Sequence, residues 1–141
     1  MTPGSGVAIV TLALAALLPH DVRAAAASPQ ERPAWNAPST SDARKNPLAA
    51  RPEAEPGGAK LFREHCAQCH RDDGTGTSFG PGLTGRRVQA QTDGALFWEI
   101  TSGNTRTGMP TFSGLPELQR WQLVLHLRAL GSRHSALPNR P

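Results

Sequence analysis

The 141 residues contain no tyrosine, only two cysteines and two methionines, and just seven aromatic rings (three Trp, four Phe), against 14 Gly and 13 Pro. That is too little apolar bulk for an ordinary core of this length; a bound group would supply the missing mass, as metals and disulfides do in other small scaffolds. Two cysteines cannot build a disulfide framework, nor a structural zinc site, which takes four N/S ligands and usually two separated pairs. No apolar stretch is long enough to cross a bilayer: the longest, the nearly unbroken Val7–Leu18, has twelve residues, where a spanning helix needs about twenty. No strand-like alternation and no internal repeat is present. A clustered basic stripe is missing as well. Net charge is +4, yet residues 53–131 carry eight Lys/Arg and eight Asp/Glu, and the excess lies in the flanks at Arg32, Arg44, Lys45, Arg51, Arg133 and Arg140. A neutral centre with basic tails excludes a nucleic-acid footprint.

What is present begins with an address. The twelve-residue apolar run has the length of a secretory h-region, and small residues follow it, with Val22-Arg23-Ala24 or Ala24-Ala25-Ala26 as cleavage sites. The n-region is unusual in having no Lys or Arg. Residues 1–26 are therefore expected to be a signal peptide, directing the chain to the periplasm. Residues 27–52, rich in Ala, Pro, Ser and Arg, read as an arm or linker. Their last part, Asn46-Pro47-Leu48, is compatible both with docking on the globule and with lying free.

The chemistry sits in Cys66-Ala67-Gln68-Cys69-His70, which uses both cysteines. C-x-x-C-H is the attachment signature of c-type haem. Two intervening residues let one helical turn present both sulfurs to the vinyl edge of a porphyrin, and the following imidazole becomes the proximal ligand of the iron. A thioredoxin-like redox pair would want a βαβ pattern, and a plain disulfide across two residues would be strained.

Around the motif the expected elements are helical. The first helix starts near Pro52 or Pro56, with Glu53 and Glu55 at its positive end. Gly58 and Phe62 share a face, as expected of a close helix crossing. Residues 71–87 read as loop. Asp93–Ser102 is a helix that Asp93 can cap and Gly103 ends; Pro116–Leu130 is the last helix, stopped by Gly131, with residues 132–141 a flexible tail.

After processing, Met109 is the one methionine left, in Gly108-Met109-Pro110, thirty-nine residues beyond His70. A methionine between Gly and Pro does not lie on a helix face, so it suits the second axial position better than a core. The rivals are weaker: His65 is too close to the motif, His126 reads as a packing or solvated residue, and His134 is in the tail.

These residues resemble class I c-type cytochromes, most closely the soluble bacterial mono-haem kind. The resemblance is carried by the run from Gly58 to His70, by Gly80-Pro81-Gly82-Leu83, by Asp93–Ile100 followed by Gly108-Met109-Pro110, and by the final helix from Trp121. It covers about residues 53–131. It implies an all-α cytochrome c fold of three to four helices around one covalent haem c, with the Pro81 carbonyl holding the His70 ring and Leu83 packed on the porphyrin. It also implies that the last helix crosses the first near Gly58 and Phe62. In place of the aromatic usual on the last helix the chain has His126. Arg86, Arg87 and Trp98 suit haem propionates by their N–H groups. The expected function is a monomeric, non-enzymatic electron carrier between redox partner proteins, a dehydrogenase or membrane complex and an oxidase or other cytochrome, with Arg86, Arg87 and Arg106 forming a positive rim. Two alternatives stand beside it: a haem subunit of a dehydrogenase or oxidase complex, and a haem enzyme or gas sensor with an open sixth position.

Overall fold

Proline starts the first helix in two stages: a 3-10 turn at Pro52–Ala54 leads into α1, Glu55–His65, with Pro56 in its first turn. The ring's fixed φ suits that position, where the missing N–H has no intrahelical partner to lose. The computed structural model describes residues 1, 2 and 36–137. The expected signal peptide, the start of the arm and residues 138–141 lie outside them. Four more helices follow: α2, Ala67–His70; α3, Arg86–Gln89; α4, Asp93–Ser102; and α5, Glu117–Ala136. Among the described residues the one β feature is an isolated bridge between Asn104 and Met109. The fold is all-α, with α2 and α3 only single turns. α3 falls partly within the stretch read as loop.

The interior is built on the crossing of α1 and α5. Gly58 lies against the backbone of α5, where a Cβ would collide with the Gln122 carbonyl and meet His126 Cβ at 3.0 Å. Without a side chain there, Phe62 (1 % exposed) and Val124 (0 %) reach full burial. His126 takes the aromatic's place in the crossing. It is buried, its ring centroid lies 5.0 Å from that of Phe62, and Nδ1 lies 2.7 Å from Glu55 Oε1. A carboxylate only accepts, so Nδ1 donates.

Two helix ends differ from the sequence expectation. Thr92, not Asp93, caps α4: its Oγ1 accepts the Ala95 N–H at 3.1 Å, while Asp93 is already helical and takes Arg128 Nε at 2.8 Å. Gly131 does not stop α5, which continues to Ala136 through residues expected to be tail. Gly131 is there for space, because a Cβ would run into the Gln89 side chain, which bonds the Leu127 carbonyl at 3.1 Å.

The segment before α1 docks as a strap, so Asn46 and Leu48 are buried rather than free. Its 3-10 turn, Ser39–Ala43, lies so close to α4 that a Cβ on Gly94 would collide with the Ser41 carbonyl. Asn46 Nδ2 donates to the Trp121 carbonyl at 3.2 Å, and Arg44 pairs with Glu117 at 2.6 Å while lying over the Phe97 ring.

Candidate cofactor site

The motif follows α1 without a break. Cys66 ends α1, and the His70 N–H bonds the Cys66 carbonyl at 3.0 Å, so Cys66, Cys69 and His70 share one tight turn. Both cysteines are free thiols and half-buried. Burial, and then the neighbouring Cys69, push the Cys66 thiol up to about 12, which keeps it protonated at neutral pH. After His70 the chain turns sharply: Arg71 adopts φ 61°, a region that L side chains rarely occupy.

Turns bring the next loop back under the histidine. The Leu83 N–H bonds the Gly74 carbonyl at 2.7 Å and the Thr77 N–H bonds that of Gly80 at 2.8 Å, while the Thr77 hydroxyl reaches the Cys69 carbonyl at 2.7 Å. Gly80 abuts the motif, and a Cβ there would be 2.9 Å from both the Cys69 carbonyl oxygen and His70 Cε1. This places the Pro81 carbonyl 2.8 Å from His70 Nδ1. A carbonyl only accepts, so Nδ1 donates, and in the neutral imidazole this leaves the lone pair on Nε2. Among the described residues no hydrogen bond reaches Nε2.

Met109 is held on a separate element. Its backbone makes both bonds of the bridge to Asn104, at 2.9 and 3.0 Å, and Gly108 at φ 93° closes the turn between them. The side chain is half-exposed.

The other expected residues are spread out. Leu83 is half-buried and packs against the core, as do Leu61, Phe112 and Leu115. Phe62 lies in the helix crossing against His126. Trp98 is half-buried on α4. Arg86 is exposed and lines a surface recess with Gln89, Gly131 and Ser132; no hydrogen bond or ion pair joins it to His70 or Met109 among the described residues. Arg87, not Arg86, faces the residue beside Trp98. Burial raises the Glu99 carboxyl to about 7, against the opposing pull of Gln91 and the Arg87 charge. Neither Glu99 nor Arg120 was legible as part of this region, because both sit at unremarkable helical positions. Arg120 lies over Phe97, 4.8 Å from its centroid, and bonds Thr101 Oγ1 at 2.7 Å.

The donor set fits a covalent haem. Two free thiols stand one turn apart, an imidazole has its outer nitrogen fixed and its inner one free to coordinate, and a thioether sits on a backbone clamped by its own bridge. Partly covered apolar side chains suit a porphyrin face. The all-α fold and this set of groups define a class I c-type cytochrome domain. Residues 53–127 match the family model for cytochrome c oxidase, cbb3-type, subunit III, and the chain belongs to that family. No curated protein and no solved structure matches it. Membership carries with it covalently bound haem c and electron transfer rather than catalysis.

Proposed function

We propose that the chain is an exported, periplasmic mono-haem cytochrome that passes single electrons between redox proteins. The observation that carries this reading is the His70 ring, one residue after a free C-x-x-C pair and oriented by the Pro81 carbonyl with Nε2 unengaged. When bound, haem supplies a one-electron ferric/ferrous couple. Cys66 and Cys69 would attach it, and His70 and Met109 would hold its iron. Pro81 keeps the His70 proton on Nδ1 and makes the imidazole a firmer donor. Leu83 and Phe62 would supply apolar contact with the haem. Trp98, Arg86 and Arg87 would be the candidates for contact with its propionates.

The family description favours a second reading, in which the same domain delivers electrons as a subunit of an oxidase complex. Among the described residues no helix is long and apolar enough to cross a membrane. Purification of the tagged chain from native membranes separates the two readings: a stoichiometric oxidase supports the subunit, and a chain recovered alone supports the carrier.

The shared core is tested on protein made with working haem-maturation machinery. The expected product is heavier than the polypeptide by one haem and shows, in the ferric state, the weak red band of methionine sulfur on iron. Met109→Ala should abolish the band, lower the potential and let carbon monoxide bind the ferrous form readily. An unchanged band rules out Met109 as ligand, and a colourless product at the polypeptide mass rules out haem attachment.

A further inference from the structure

We infer that Arg120 and Thr111, acting through Thr101, are positioning residues that hold the Met109 loop on the end of α4; this rests on Met109 being the second axial ligand. The last carbonyls of a helix have no intrahelical partner, and α4 gives two of its own to the loop. The Ile100 carbonyl accepts the Phe112 N–H at 3.2 Å, and the Thr101 carbonyl accepts the Thr111 hydroxyl at 2.7 Å. Both donors lie just past Met109. The Asn104–Met109 bridge, by contrast, is internal to the loop and travels with it. The stitches to Ile100 and Thr101 are therefore what tie this side of the loop to the helix.

Thr101 is itself fixed by Arg120. Its hydroxyl lies 2.7 Å from the Phe97 carbonyl and 2.7 Å from Arg120 Nη1. It has one proton and guanidinium only donates, so the proton goes to Phe97 and the lone pair faces Arg120. The arginine has no carboxylate partner among the described residues, and its Nε is buried without a hydrogen bond. The guanidinium also lies over the Phe97 ring, 4.8 Å from its centroid, so it engages Phe97 and Thr101, one turn apart on α4, together. The cation thus has two partners, the Phe97 ring and the Thr101 hydroxyl, and through Thr101 it bears on the residue that receives the loop.

The test uses the full-length, haem-loaded ferric protein, titrated with imidazole while the red band is followed. Imidazole must displace the methionine, so its affinity reads how easily the loop lifts. Thr111→Val and Arg120→Met should each bind imidazole about three- to tenfold more tightly, the worth of the bond to Thr101. Thr111→Val also removes that hydroxyl's contacts with Ser113 Oγ at 3.1 Å and the Ser113 N–H at 3.3 Å, which are internal to the loop. Thr111→Ser, which restores the hydroxyl, should keep the parent affinity. Ser135→Ala, which deletes a similar hydroxyl bond at the far end of α5, should keep it too. The inference is overturned if Thr111→Val and Arg120→Met titrate like the parent, or if Ser135→Ala tightens imidazole equally. Thr111 is exposed, so Thr111→Val decides the matter even if Arg120→Met fails to accumulate. A parent without the red band, or one whose band survives Met109→Ala, removes the ligand reading itself and is recognisable as that different failure.

Discussion

The histidine and methionine sides of the site are built in different ways. His70 is buried, continuous with α1 through one turn, and backed by a loop so close that Gly80 has no room for a side chain. Met109 is half-exposed on a turn whose Gly108 has nothing within 4 Å of a would-be Cβ, and it is joined to the helices by a few bonds from Thr111 and Phe112. One side is fixed by crowding and the other by stitching. Crowding resists change through many contacts at once, so damage there spreads to the whole fold. Stitching fails one bond at a time, so damage there stays local.

Substitutions can break or sharpen this contrast. The largest effect is expected from Gly58→Val, which forces α1 and α5 apart and should cost about 3 kcal/mol in chemical unfolding, as overpacking in a core does. A loss below 1 kcal/mol would mean that the crossing is not the foundation of the histidine side. Gly80→Ala comes next, at about 2 kcal/mol, and should also move the His70 ring and so change the Soret spectrum. Gly108→Ala meets no neighbour and should cost only about 1 kcal/mol, the conformational penalty of positive φ, with the Soret band unchanged. If the two alanines reverse their order, the contrast fails.

The gentlest probe is pH. Burial lowers the His126 imidazole from 6.5 despite the opposing pull of Glu55. Burial raises Glu55, but hydrogen bonds and charge from His126 and Arg133 outweigh it and leave the carboxyl below 4.5. Both groups bind protons less readily folded than unfolded, so stability is complete above 6.5 and falls with acid, first through His126 and then, below 4.5, through Glu55. His126→Phe should keep the ring on Phe62 and remove the first part of that decline in unfolding measured on either side of 6.5. An unaltered decline would place its origin elsewhere.

The motif was legible because its chemistry dictates its spacing, and the Gly58–Phe62 face because a glycine one helical turn from an aromatic has few other uses. Elsewhere the sequence carried the right residue without its role. Thr92 and Asp93 are both good caps, and periodicity does not choose between neighbours, so the side-chain partners Ala95 and Arg128 decide. Gly131 resembles a stop signal, but its φ is helical and its lack of a side chain serves Gln89 from another element. The strap was opaque because it docks through polar groups such as Arg44 and Asn46, which composition assigns to solvent. Arg120 and Glu99 matter through partners that only the fold brings near.

Because that strap precedes residue 53, where similarity to the family begins, the evolutionary module and the folding module have different edges. A polypeptide trimmed to the matched residues would lose one of the two cations over Phe97, the amide that occupies the Trp121 carbonyl, and the Leu48 side chain from its interior. It would keep every residue proposed to hold haem and still begin as a damaged protein.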